Sequence, residues 1–196
     1  LGAVDEIATR PVVGPSEDGW VAYRNHAWSE DQGEQLIPPL SGGTFARPTA
    51  VAVGGYVAGQ ADTADGKIRA FRWDRVDGTV DLGTLGGTTQ AVAVNADGWV
   101  AGTSQKGSLK QRAFVWTPED GMQDLGTLCT SGPEAACGDE SAAVGMDAAG
   151  RITGWSTTVT GTVHAFLWTP DVGMEDLGAW FVSGDSRALG INDLGQ

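Results

Sequence analysis

Cys129 and Cys137 are the two cysteines of this 196-residue chain, and seven residues, Thr-Ser-Gly-Pro-Glu-Ala-Ala, lie between them. Two thiols flanking one short loop suit a local disulfide. Such a bond would stabilise by about 2.5 kcal/mol in the loop-entropy account and persists in oxidising compartments. Cys-x7-Cys matches no usual metal or redox spacing, and two unrelated thiols are the bland alternative. Asp18-Gly19, Asp97-Gly98, Asp120-Gly121 and Asp193 offer hard oxygens, the donors that calcium requires. None fits a calcium-loop pattern, however, and Asp and Gly are equally the residues that tight turns prefer. His26 and His164 recur at nearly equivalent places and would suit general-base work, yet Arg69 and Arg112 stand at the intervening positions. That alternation favours structure over catalysis, and no catalytic residue is assigned.

Two further groups have a dual reading. Trp20, Tyr56 and Trp99 follow turn glycines, with Trp155 and Trp180 adding aromatic surface. Such rings stack on sugar faces, or they pack one repeat on the next. Lys106, Lys110 and Arg112 form a small basic tip that is either a solvated hairpin end or a docking spot for an acidic partner. No phosphate-cradling glycine loop, zinc spacing or nucleophile elbow is present.

These residues sit on an unusual background. Twelve Lys+Arg against 25 Asp+Glu leave a net charge of −13, which argues against binding nucleic-acid phosphates or anionic lipid. No apolar run approaches a membrane span. With 41% hydrophobic and 19% charged residues, eight Trp and thirty Gly, the chain has the apolar mass for a core and too little charge for disorder. It opens at Leu1-Gly2 with neither an initiator Met nor an apolar leader, which suggests a processed or partial chain.

What must position these side chains is a repeat. Arg69-Ala70-Phe71-Arg72-Trp73 recurs as Arg112-Ala113-Phe114-Val115-Trp116 and His164-Ala165-Phe166-Leu167-Trp168, with a shorter relative at His26-Ala27-Trp28. Each anchor Trp (Trp28, Trp73, Trp116, Trp168) is followed after five residues by Gly33, Gly78, Gly121 or Gly173. After nine comes Ile37, Leu82, Leu125 or Leu177, and after twelve Leu40, Leu85, Leu128 or Trp180. A second half-repeat, Ala91 to Gly102, has relatives at 50–59, 141–154, 187–196 and, degenerately, 16–22. Trp-to-Trp spacings of 45, 43 and 52 define a unit of about 45 residues, the last lengthened by an insertion around Cys129 to Gly138.

Short alternating segments rich in Val, Thr and aromatics between Asp-Gly turns read as strands. In the third unit they are expected at about 90–95, 99–104, 111–117 and 122–128. Four antiparallel strands per unit of this length describe a propeller blade. The expected architecture is therefore all-β and β-propeller-like, about four repeats forming one domain over 1–196. Scraps of a fifth repeat at both ends favour part of a larger ring over a small closed one, and a solenoid stack is the structural competitor.

The stretches His164 to Gly178, Asp81 to Gly87 and Ala188 to Gln196 resemble the HAF-repeat family, whose name matches His164-Ala165-Phe166. The resemblance implies a propeller-like fold and an extracellular location, and brings no catalytic residues with it. The expected role is an exported binding or structural scaffold for glycans or a surface protein, with loops at 60–68, 104–111, 129–140 and 156–163 as the variable elements. Alternatives are a secreted hydrolase or lyase acting on polysaccharide, which needs a carboxylate pair in a pocket, and a structural subunit of an extracellular assembly. No cofactor is expected; turn chemistry is the favoured reading of the Asp-rich turns, and structural calcium is its alternative.

Overall fold

The computed structural model describes residues 12–107, 110–129, 138–178 and 184–196. Alternation of apolar and polar residues between glycine turns produces four successive meanders, the period-two pattern of a half-buried strand. Blade one comprises β1 (Val12–Val13), β2 (Val21–Tyr23), β3 (His26–Ser29) and β4 (Gly33–Leu36). Blade two comprises β5 (Ala46–Val51), β6 (Val57–Asp62), β7 (Ile68–Asp74) and β8 (Gly78–Asp81). Blade three holds β9 (Thr89–Val94), β10 (Val100–Lys106), β11 (Lys110–Thr117) and β12 (Gly121–Asp124). Blade four holds β13 (Ser141–Met146), β14 (Ile152–Thr157), β15 (Val163–Thr169) and β16 (Gly173–Asp176). Each is a four-stranded antiparallel sheet with neighbours in chain order, the blade pattern expected.

The fourth strand of each full-length unit ends earlier than sequence alternation suggests. In blade three the carboxylate of Asp124 accepts the Gly126 N–H at 2.9 Å, and the chain turns there instead of continuing to 128. Asp81 with Gly83 and Asp176 with Gly178 repeat the device at 2.8 and 2.7 Å.

The apolar core is divided into three, one between each pair of successive blades. Trp20, Ile37, Leu40, Val57, Phe71 and Trp73 join blades one and two; Leu82, Val94, Val100 and Phe114 join two and three; Val115, Leu125, Ile152 and Phe166 join three and four. The Phe of each anchor phrase is fully buried in blades two to four. It lies over a glycine of the preceding strand, in the register pairs Gly59↔Phe71, Gly102↔Phe114 and Gly154↔Phe166. A Cβ on Gly102 would meet the Phe114 ring at 2.6 Å and overlap the Gln90 carbonyl oxygen, so the residue must be glycine.

Blade one departs from this rule. Trp28 pairs with Val21 as Trp73 does with Val57, so the residue in the Phe71 position is His26, facing Tyr23 where the other blades have glycine. His26 and His164 are therefore not equivalent. His164 pairs with Ser156 and occupies the place of Arg69 and Arg112, two residues before the Phe position. The anchor Trp is likewise graded: Trp73 is buried, whereas Trp28 is 40% exposed.

Residues 184–196 lie against blade four where the innermost strand of a following blade would run. Ser186 Oγ accepts the Ala165 N–H at 2.9 Å and donates to the Gly178 carbonyl at 2.5 Å. Ser141 Oγ serves Ala113 and Gly126 in the same way one blade earlier. Leu177, equivalent to the buried Ile37, Leu82 and Leu125, is 56% exposed on this face.

Candidate functional site

The second half-repeat supplies a turn that is built five times. Ser16, Ala52, Asn95, Asp147 and Asn192 each accept a backbone hydrogen bond from the glycine three residues on and donate one to the carbonyl four residues on, at 2.8–3.2 Å. The glycines, Gly19, Gly55, Gly98, Gly150 and Gly195, all have φ between +74° and +83°, a region that L side chains avoid. The side chains of Ser16, Asn95, Asp147 and Asn192 accept the N–H at the fifth position, at 2.9 Å. This is the local side-chain bonding that makes Ser, Asn and Asp turn residues.

The fifth position of each turn reaches across to the glycine of the next. A Cβ on Gly55 would meet the Trp20 ring at 2.8 Å, one on Gly98 the Tyr56 ring at 3.0 Å, one on Gly150 the Trp99 ring at 2.8 Å, and one on Gly195 the Arg151 guanidinium at 2.7 Å. Trp20, Tyr56 and Trp99 thus pack blade on blade, and their rings are committed to that contact. Trp155 carries Arg187 over its face at 4.3 Å, and Trp180 lies outside the described residues. Carboxylates tie the turns together as well. Asp18 accepts the Gly54 N–H at 2.8 Å and Asp193 that of Ala148 at 2.8 Å. Partial burial would raise the Asp18 carboxyl, but the hydrogen bonds from Ser16 Oγ and the Gly54 N–H outweigh it and hold it below its ordinary value.

These turns converge on one depression of about 440 Å³, the mouth of the channel between the inner strands. Pro15, Val51, Val53, Val94, Ala96 and Met146 give it an apolar centre, with Glu17, Asn95, Asp147 and Asp193 among its polar lining. Because the strands of a blade alternate in direction, its third-to-fourth-strand turn lies at the same end. Those turns bring Glu30, Asp31, Asp77, Glu119, Asp120 and Asp171 to the surrounding rim. Of the cations near the rim, Arg75 in the β7–β8 turn has no ion pair among the described residues, whereas Arg151 and Arg72 are neutralised. Arg151 binds Asp147 at 2.5 Å. Arg72, buried, binds Asp74 at 2.8 Å and also Asp77, with its guanidinium over Tyr56 at 5.5 Å and Trp116 at 5.3 Å. The rim is acidic around an apolar mouth.

The basic tip is not a free cationic surface. Arg112 is buried against Asp139 at 2.5 Å, Lys106 binds Asp124 at 2.8 Å, and Lys110 faces Asp139 at 3.6 Å. Burial would raise the Asp139 carboxyl, but Arg112 and Lys110 hold it below its ordinary value. His164 Nδ1 lies 2.9 Å from Asp176, the same strand-to-strand pairing that Arg112 makes with Asp124 at 3.6 Å. Among the described residues no three His, Cys, Asp or Glu side chains gather as a metal would need. Asp18 and Asp193 spend carboxylate oxygens on turn N–H groups. Cys129 closes a described stretch, and its expected partner Cys137 lies outside the described residues. No helix among the described residues is long and apolar enough to cross a membrane.

The mouth residues are visible in the sequence only as turn punctuation. Pro15, Val53 and Met146 carry no motif, and nothing in their spacing along the chain shows that they share a cavity. The signal that could have found them is the recurrence of the same turn once per blade, since equivalent turns of a ring must meet at one end.

No family model and no curated protein matches the chain. Among solved structures it is similar to TolB from Acinetobacter baumannii, with a TM-score of 0.55 and 14% identity. The match covers 90% of this chain and 45% of that one, so this chain spans under half the length of that relative. TolB is a β-propeller, and the likeness shows the fold: four consecutive propeller blades.

Proposed function

We propose that this chain is the scaffold of an exported binding module whose recognition surface is the channel mouth, and that its partner is a protein segment that is basic and apolar. The observation that carries this reading is the convergence of the repeated turns on an apolar depression of about 440 Å³ ringed by carboxylates. Complementary charge steers and selects partners, and an apolar centre with a polar rim is the anatomy of protein interfaces. Glycan stacking at this end is disfavoured because Trp20, Tyr56 and Trp99 are spent on the neighbouring glycines. Export rests on the HAF-repeat resemblance and on a Cys129–Cys137 disulfide, which we propose with it. Intact mass of native, non-reduced protein should show two protons fewer than the reduced chain, and two alkylatable thiols would remove that support.

The binding reading is tested with arrays of Lys/Arg-containing apolar peptides, matched acidic peptides and glycans, read at two salt concentrations. Retention of the basic peptides, weakened by salt and by Glu17→Lys with Ala96→Lys, is the expected outcome. A glycan-only profile, or peptide binding indifferent to both substitutions, would overturn it. Turnover of a polysaccharide abolished by one Asp or Glu substitution would put the hydrolase or lyase reading in its place.

A further inference from the structure

In an acidic chain most cations find a carboxylate, and the exceptions are informative. Among the described residues, the arginines whose side chains have no ion pair, hydrogen bond or ring contact are Arg24, Arg47 and Arg75. Two of them, Arg24 and Arg47, line the same cavity, about 590 Å³ between blades one and two, with Val13, Tyr23, Pro48, Thr49 and Gln60. The cavity lies at the channel end opposite the mouth, since Arg24 stands at the β2–β3 turn and Arg47 near the start of β5. It is independent of the mouth and of the reading given to it.

The way Arg24 is held points the same way. It is the first central residue of the two-residue turn between the paired Tyr23 and His26, and its φ is +51°. Glycine is the residue such a position favours, and strain of this kind gathers at ligand sites. Nearby, Tyr23 donates to Glu34 at 2.6 Å, and among the described residues no ion pair joins that carboxylate to Arg24 or Arg47. Thr49 donates to the Ala91 carbonyl at 2.8 Å and keeps its lone pairs for a ligand, while the Gln60 amide makes no hydrogen bond among the described residues.

We propose that this cavity is a binding site for a carboxylate-bearing sugar of the uronate type. Guanidinium forks recognise planar carboxylates. Gln60, Thr49 and the Tyr23 hydroxyl supply donors and acceptors for ring hydroxyls, and Val13 and Pro48 give an apolar wall. The volume is within the range of small-ligand sites.

Two substitutions remove the charges without threatening the fold. Arg24→Gly relieves the turn. Arg47→Gln installs the residue that blade three carries at the equivalent place, since Gln90 pairs with Thr103 as Arg47 pairs with Gln60. Sodium glucuronate, glucose and inorganic phosphate are titrated into the intact chain by calorimetry, with the Gln60 side-chain amide followed by NMR. Glucuronate is expected to bind at one site, at least tenfold more tightly than phosphate, with no response to glucose. Each variant should weaken it at least tenfold at an unchanged or raised melting temperature. No glucuronate binding, equal affinity in the Arg24→Gly/Arg47→Gln double variant, or phosphate or glucose binding as tightly would overturn the proposal. The phosphate result would reduce the site to a bare anion patch.

Discussion

Blade one and blade three follow the same plan but differ at one register pair. In blade three Gly102 lies beneath Phe114, in the core shared with blade two. In blade one the same pair is Tyr23 and His26, whose rings stack at 5.9 Å with a 19° interplanar angle near the surface. The strands differ accordingly: β2 and β3 have three and four residues, β10 and β11 seven and eight. In blades two to four, packing against the preceding blade fixes the residue types of this pair. In blade one the pair is two half-buried rings, with a left-handed arginine in the adjoining turn and a cavity beside them. Departures from the repeat are therefore the places to look for function, and the repeat itself is mostly architecture.

The largest test of this contrast is truncation of the two equivalent side chains. Phe114→Ala empties a fully buried site and should cost about 3–5 kcal/mol. His26→Ala should cost less than about 1 kcal/mol, both read from urea unfolding midpoints. Equal costs would mean that blade one is packed as tightly as the others. Next in size is Gly102→Ala. Its Cβ would be driven into the Phe114 ring and the Gln90 carbonyl, for about 2–3 kcal/mol of overpacking, whereas Tyr23→Ala loses a surface hydrogen bond to Glu34 and the stacking on His26 and should cost about 1 kcal/mol. Burial, followed by the Glu34 carboxylate, pushes the Tyr23 phenol up to about 12, so an ultraviolet titration reaching its midpoint at the ordinary value near 10 would remove that bond from the account.

Much of the contrast is legible in the amino-acid sequence alone. The Trp, Gly and Leu offsets recur because each blade needs the same anchor, turn and core residue, and so the four blades and their strands can be read directly. The pairing of His26 with Tyr23 cannot. The hairpin keeps the register of its anchor Trp but is shorter on each strand, and a phrase that begins with His does not show whether that His stands at the Phe71 position or, as His164 does, two residues before it. The burial of Arg72 and Arg112 is hidden for a related reason: their partners Asp77 and Asp139 lie in turns and links whose positions depend on how the chain bends. The mouth and the arginine cavity are hidden because both are assembled across blades. Arg24 and Arg47 are 23 positions apart and belong to no motif.

Acid should expose a difference between the blade joints. The carboxyls of Asp139, beside Arg112, and of Asp18, bonded to the Gly54 N–H, are held below their ordinary value. The unfolded chain has an ordinary aspartate value near 3.9, so each contribution is complete above that pH and is lost as pH falls through the lower folded value. Asp139→Asn removes the partner of a buried guanidinium that retains Asp124 at 3.6 Å, and should cost about 2 kcal/mol at neutral pH. It should also flatten the loss of stability below about pH 4. An unchanged acid limb in the variant would show that Asp139 does not couple protonation to folding.

The smallest effect is the most discriminating, because it asks whether blade one could have obeyed the rule. Tyr23→Gly alone gives up the Glu34 bond and places glycine in a strand, costing about 1 kcal/mol. His26→Phe alone keeps a ring stacked on Tyr23 and should be nearly neutral. Made together, the substitutions recreate the pairing of Gly102 with Phe114, and their combined cost should fall short of the sum by about 0.5–1 kcal/mol, as expected for residues in contact. A double-mutant cycle measures this directly. Strict additivity would mean that β2 and β3 are too short to hold a phenylalanine over a glycine, which would make the half-buried ring pair a consequence of the two-residue Arg24-Asn25 turn. Favourable coupling would mean that the hairpin tolerates either arrangement, and that Tyr23 and His26 stand there beside Arg24 for a reason other than packing.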